Sequence, residues 1–283
     1  MPSPPVYLVL YTGIVLLSLN GLFAKGIPLA AGTITQLRSM VALVTIAGVL
    51  WLWRRSLLIR HWPKALGVCL LGLLMGLHWV TFFHAMQVST IAVGMLSLFT
   101  FPVVVVLLEA VIQRRLPRWQ DSISALGVLL GVWLLTGATG VDQITVNGVF
   151  WGILSAVLFA GRNVAQKYYF ADINSEQLML YQVATVAVLL LPFVDIDGIS
   201  TLKQGHWLSI VALGVITTAG AHTLLVISYK QLPATTVAMV SCLHPVIGAL
   251  LAWAIFSEQP TAMVTLGGLI ILAVAVYQST SRR

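Results

Sequence analysis

The chain has 283 residues, 59% hydrophobic and 8% charged, with a mean hydropathy of +0.98 and a formal net charge of +7. About a quarter of residues are charged in ordinary soluble domains. A soluble fold is therefore excluded, because a core of this length cannot hide so much apolar surface. Most bases stand in short clusters beside apolar runs, not along one exposed face, which points to membrane topology and away from nucleic acid.

Ten apolar runs follow in chain order, over 5–24, 35–53, 64–84, 90–112, 121–137, 147–167, 176–193, 207–228, 234–256 and 260–278. As helix, runs near this length span a bilayer core of about 30 Å. The connections are short, which leaves no room for a soluble domain. No basic n-region or cleavage motif precedes Pro5, so the first span is expected to be retained. Arg54, Arg55, Arg60, Lys64, Arg114, Arg115, Arg118, Lys167, Lys230, Arg282 and Arg283 fall in loops on one side, whereas Lys25 and Lys203 fall on the other. Positively charged loops stay in the cytoplasm, so both termini are expected there, as an even number of spans requires. Asp142, Asp195, Asp197 and Glu258 fall on the opposite face. Cys69 and Cys242 lie inside apolar runs, where a small buried hydrophobe is the ordinary role.

The chain also repeats itself. Ser241-Cys-Leu-His-Pro245 runs through an apolar segment to Ser257-Glu-Gln-Pro260, and Phe101-Pro102 runs likewise to Gln113-Arg-Arg-Leu-Pro117. Both prolines recur at one offset, 245 − 102 = 143 and 260 − 117 = 143. The same offset pairs Asn20 with Asn163, Arg38 with Tyr181 and Trp79 with His222. Proline inside a span frees a backbone carbonyl and is tolerated where protein or a cavity satisfies it, so Pro102 and Pro245 are expected to break or gate their helices. An odd number of spans per half forces the second copy to be inverted. The expected fold is an all-α integral membrane protein of ten transmembrane helices in two inverted five-helix repeats, residues 1–140 and 141–283.

No nucleotide-binding loop, nucleophile elbow, H-E-x-x-H or C-x-x-C motif is present, so ATP-driven pumping and the familiar enzyme classes have no sequence support. His78 and His84 are six residues apart, roughly 120° around a helix, which disfavours a shared metal. Ionisable residues inside spans are costly and stand out as candidates. Arg38 is either a structural tie or a substrate or gate residue. Arg162, beside Asn163, suits a carboxylate or other anion. Glu109 is either a proton-coupling carboxylate or a group neutralised at the headgroups by Arg114 or Arg115. His84 is a second candidate for proton coupling. His78-Trp79 facing His222 would place a titratable, aromatic-edged pair near mid-membrane, and Asn20 and Tyr181 complete the candidate substrate contacts. Trp51, Trp53, Trp62 and Trp207 are assigned to the interfacial belt. Gly72/Gly76, Gly127/Gly131 and Gly148/Gly152 have the spacing of close helix crossings.

The stretch from Phe83 through Val93 to Phe101-Pro102 and Gly127, and its second copy from Ser228 through Thr236 to His244-Pro245, Glu258 and Gly267, resemble the repeats of the drug/metabolite transporter superfamily in its ten-helix EamA branch. Arg38 is similar to the family's pattern; Arg115, standing where the second copy has Glu258, departs from it. The resemblance covers nearly the whole chain and implies a secondary carrier with no cofactor and no metal, exporting a small metabolite such as an amino acid, with protons as a candidate driver. Two buried arginines tilt the cargo towards anionic or zwitterionic compounds. A cationic cargo, or an intramembrane enzyme or sensor on the same helical shell, are the alternatives. The implied location is the inner membrane of a bacterial cell; whether the protein is a monomer or a homodimer is left open.

Overall fold

A computed structural model of the chain describes residues 4–137, 143–256 and 262–280, and among these it contains helices and no strands. The Ser257-Glu-Gln-Pro260 stretch, Asp142, Arg282, Arg283 and the expected 140/141 boundary lie outside the described residues. The helices are α1 (Pro4–Leu17), α2 (Asn20–Gly26), α3 (Ala31–Leu52), α4 (Trp62–Val88), α5 (Ile91–Leu98), α6 (Phe101–Ile112), α7 (Trp119–Gly137) and α8 (Gln143–Tyr169). They continue with α9 (Ser175–Leu189), the short α10 (Ile196–Ser200), α11 (Gln204–Ala212), α12 (His222–Gln231), α13 (Ala234–Val240), α14 (Leu243–Phe256) and α15 (Ala262–Thr280). A π-helix, Leu213–Ala221, joins α11 to α12 in one continuous rod.

Among the described residues, seven helical stretches are long and apolar enough to cross a bilayer: Pro5–Ala24, Ala31–Leu52, Trp62–Val88, Val93–Ile112, Val146–Tyr169, Gln204–Gln231 and Ala234–Ile255. The other three expected spans fall on α7, α9 and α15, of which α9 has only 15 residues. The starts of α3, α4, α5, α6 and α7 recur in α9, α11, α13, α14 and α15 at offsets of 144, 142, 143, 142 and 143.

Both proline sites break their helices. The chain leaves helical register between Leu98 and Phe101 and again between Val240 and Leu243, with Pro102 in the first turn of α6, where a missing N–H costs nothing. Thr90 caps α5 by accepting the Val93 amide at 3.1 Å. A third break, between α1 and α2, has no proline. There the Ser18 hydroxyl donates to the Ile14 carbonyl at 2.8 Å, a local bond that bends helices. Helices α3 and α6 each end on an arginine at positive φ, Arg54 at 52° and Arg114 at 49°, followed by a bond from the next amide back to the last turn.

Small residues set the helix crossings, because lipid supplies no hydrophobic drive for helices to associate. Gly72 and Gly76 let α4 lie on α9, where an added Cβ would meet Thr185 Cβ at 2.7 Å and Val186 Cγ2 at 3.1 Å. Gly148 and Gly152 seat α8 against Ser89 and Ser97, and Gly127 seats α7 on Val274 of α15. These glycines serve packing, as their spacing suggests. Gly152→Val is expected to destabilise the protein by about 1–3 kcal/mol through overpacking, read as a lower unfolding midpoint in detergent.

Outward, Leu8, Val44, Leu66, Leu70, Leu107, Val111 and Phe150 are exposed, as a lipid-facing surface requires, and Trp51, Trp53, Trp62 and Trp207 are exposed near helix ends. Cys69 and Cys242 are free thiols. The loops beside α3, α4, α6, α8 and α12 carry the bases named above and form one basic face. On it, Lys64 bonds to Asp172, and Arg55 lies 3.4 Å from Glu176. The Lys64 bond holds the Asp172 carboxyl below its usual range. A carboxyl with a depressed value stabilises the fold above its unfolded value and loses that contribution as pH falls through the folded one. Wild type should therefore melt slightly above Asp172→Asn near neutrality, the gap closing as pH falls below the ordinary carboxylate range; the exposed setting keeps it small.

Candidate functional site

A cavity of about 430 Å³, its mouth included, lies where the broken helices meet. Its lining comes from α1, α2, α4, α5, α6, α8, α12, α14 and the breaks before α6 and α14. Helices α7 and α15 pack on each other, and none of their described residues lines it. The polar part of the wall is Asn20, His78, His222, Ser241 and His244; the aromatic part is Trp79, Phe82, Phe99, Phe101 and Phe159.

Each histidine is oriented by a defined bond. Trp79 Nε1 donates to His222 Nε2 at 3.2 Å, joining two residues 143 positions apart. An accepting Nε2 carries no proton, so the His222 proton sits on Nδ1, which is buried without a partner. Ser155 Oγ donates to the His78 carbonyl at 3.0 Å, and so accepts from His78 Nδ1 at 2.7 Å. His78 also stacks on Phe159, with ring centroids 4.4 Å apart. His244 Nε2 donates to the Leu17 carbonyl at 2.8 Å, at the break between α1 and α2. That histidine, one residue before Pro245, ties the two break points together.

The two intramembrane arginines are fully buried and lie behind the cavity wall. Arg38 Nε donates to Thr218 Oγ1 at 2.8 Å and an Nη to Thr217 Oγ1 at 3.4 Å. Both hydroxyls in turn donate to the Leu213 carbonyl, which the wider turns of the π-helix bring within reach. The guanidinium lies 4.5 Å from the Trp79 ring centroid and 5.2 Å from that of Phe83. Arg162 on α8 donates from Nε to Gln182 Oε1 at 2.7 Å, from one Nη to Asn163 Oδ1 at 2.7 Å and from the other to Met179 Sδ at 3.4 Å. Every one of these partners is neutral. A buried cation without a counter-charge is costly, and such cost is ordinarily borne at functional positions.

Glu109 sits near the basic end of α6. Its carboxylate accepts from Tyr168 Oη of α8 at 2.9 Å and from the Thr235 amide at 3.1 Å and hydroxyl at the start of α13. Gln113 donates to the same tyrosine. Arg115 and Arg118 line a smaller pocket beside this cluster. Bonds to α8 and α13 hold Glu109 in place, with Arg115 and Arg118 beside it. We refer to this cluster as the latch.

Of the candidates read from sequence, Asn20, His78, Trp79 and His222 converge on the cavity. Asn163 lies with Arg162 behind it. Tyr181 and His84 do not join them: the Tyr181 hydroxyl accepts the Ile59 amide at 3.2 Å near the basic face, and His84 packs edge-on against Trp151 at 5.1 Å. Gln166, Gln182, Ser155 and the Thr217-Thr218 pair were not singled out. They are uncharged polar residues in apolar runs, and only their positions relative to the arginines and histidines mark them.

These features define the class: a polytopic helical membrane protein with a polar, histidine-lined cavity between broken helices. Residues 146–279 match the EamA-like transporter family. The chain is 22% identical over 258 residues to the transporter YxxF of Bacillus subtilis, covering 89% of this chain and 82% of that protein. It is 26% identical over 213 residues to the pseudopaline exporter CntI of Pseudomonas aeruginosa, covering 75% and 74%. A solved crystal structure superposes with a TM-score of 0.76 at 21% identity over 99% of each chain, which shows a shared fold. The chain is thus similar to EamA-like transporters over its second half and to bacterial transporters over most of its length, and the proteins it resembles are transporters, not enzymes.

Proposed function

We propose that the protein is a secondary active exporter of small zwitterionic or anionic metabolites, amino acids or related compounds, working by alternating access. The observation that carries this reading is the pair of fully buried guanidiniums, Arg38 and Arg162, held only by neutral partners on the margins of a shared cavity. An anionic group is the species that such a surplus of positive charge would recognise. The offsets of 142–144 between helix starts support two repeats, residues 1–140 and 141–283, inverted because each half holds five spans, ten in all. Rocking of one half against the other would expose the cavity to each side in turn. The related pseudopaline exporter favours the outward direction. The excess of bases on one face supports both termini in the cytoplasm of a bacterial inner membrane. Glu109 and His84 are the carboxylate and imidazole proposed for proton coupling.

Counterflow in proteoliposomes tests the reading. Preloaded unlabelled amino acid should drive uptake of its labelled form, and an ionophore that collapses the pH gradient should abolish accumulation. Flux of quaternary amines in the absence of any amino-acid flux would replace the cargo class, and counterflow of neither would remove the carrier mechanism.

A further inference from the structure

The directions of the hydrogen bonds around Arg162 define a site with a surplus of donors. A guanidinium only donates, so the carboxamide oxygens of Asn163 and Gln182 are both consumed by it. Gln182 must then turn its amide nitrogen outward, and it donates to Gln166 Oε1 at 3.1 Å. The groups left on Asn163 and Gln166 are therefore both amide nitrogens; that of Gln166 is buried without a partner, and that of Asn163 has only the Tyr229 hydroxyl near it. The Tyr229 hydroxyl, buried beside Arg162, lies within reach of the Asn163 amide, and its own proton has no acceptor. Arg162, Asn163, Gln182 and Tyr229 are 0% exposed and Gln166 is 1% exposed. The cluster thus carries one positive charge and a surplus of donors: the Gln166 amide, the Tyr229 hydroxyl proton and the second Asn163 N–H. What it lacks is a negatively charged acceptor. A planar two-oxygen acceptor suits paired N–H groups and a guanidinium fork better than a spherical ion does.

Its position links it to the cavity. Phe159 on α8 and Leu225 on α12 line the cavity. Asn163 and Tyr229 each follow one helical turn later, about 6 Å along the axis. The cluster therefore adjoins the cavity on the side of the basic face, with Tyr168 and Glu109 of the latch further on.

We propose that Arg162, Asn163, Gln166 and Tyr229 form a carboxylate subsite, oriented by Gln182, that receives the acid group of the cargo when the cavity opens towards the basic face. This deepens the carrier reading and rests on it. A cargo would then be selected by its acid group, and its amide or its decarboxylated amine would be rejected.

The test measures binding to the purified full-length protein by thermal shift and titration. The probes are L-alanine, L-norleucine and acetate, with alaninamide, norleucinamide and the matching amines as controls, and sodium chloride as a separate arm. Carboxylates are expected to raise the melting midpoint and the controls to leave it unchanged. Arg162→Lys keeps the charge but loses the fork, and Gln166→Leu removes one open donor while conserving volume. Each is expected to remain folded and to weaken carboxylate binding about 10–100-fold. The proposal fails if acid and amide bind alike, if neither variant changes affinity, if no carboxylate binds, or if chloride competes as strongly as the acids, which would make the site one for a simple anion. Amino-acid counterflow unchanged in Arg162→Lys and Gln166→Leu would sink the subsite and leave the carrier standing. Acid-selective binding without any counterflow would do the reverse.

Discussion

Replacing Glu109 with alanine is expected to lower the unfolding free energy by about 2–4 kcal/mol, the range for stranding buried donors that had a charged acceptor. Its carboxylate serves the Thr235 amide and hydroxyl on one oxygen and the Tyr168 hydroxyl on the other, so α8 and α13 lose their common partner on α6 at once. Glu109→Gln should cost less, about 1–2 kcal/mol, because its oxygen still accepts from Thr235 while its amide nitrogen donates to Tyr168. Thermal denaturation in detergent measures the order. Hydrogen exchange at the Thr235 amide, fastest in the alanine variant and intermediate in the glutamine one, identifies the latch as the cause. Unchanged exchange in both variants would show that α13 is held by other contacts.

Arg38→Met is expected to leave the fold as stable as wild type, or more so, and to reduce transport roughly tenfold or more. Methionine fills much of the slot between the Trp79 and Phe83 rings and carries no charge to desolvate. The partners it abandons are cheap to leave, since Thr217 and Thr218 already donate to the Leu213 carbonyl and lose only an incoming bond. Arg38→Ala should differ, costing about 2–4 kcal/mol through the void it opens under Trp79. Melting midpoints and counterflow rates on the same preparations separate the two effects. A methionine variant that transports at the wild-type rate would make Arg38 a structural residue.

The sequence was most informative where chemistry is costly in a bilayer. Proline in a span, charge in a span and glycine at four-residue spacing each have few tolerable uses in lipid, so Pro102, Pro245, Arg38, Arg162, Gly72 and Gly152 could be picked out by type and position. The break at Ser18 escaped notice because serine is a common residue in membrane helices and bends one only through a local bond. Glu109 had two readings, headgroup neutralisation or proton coupling, and its partners, Tyr168 and Thr235, are 59 and 126 residues away. The placement of Tyr181 and His84 away from the cavity depends on helix rotation, and alignment by offset says nothing of which way a side chain faces once helices pack.

What the sequence determined alone was the solvent this protein lives in, the number of apolar runs, the two proline breaks and the clustering of its bases, all consequences of transfer energies and backbone hydrogen bonding that act residue by residue. The tertiary structure decided which polar groups meet. It put Trp79 against His222, covered Arg38 with aromatic rings, and turned the carboxamide oxygens of Asn163 and Gln182 towards the Arg162 guanidinium. Those outcomes depend on the relative rotation and depth of helices far apart in the chain, and hydrogen-bond direction acquires meaning only once both partners are in place.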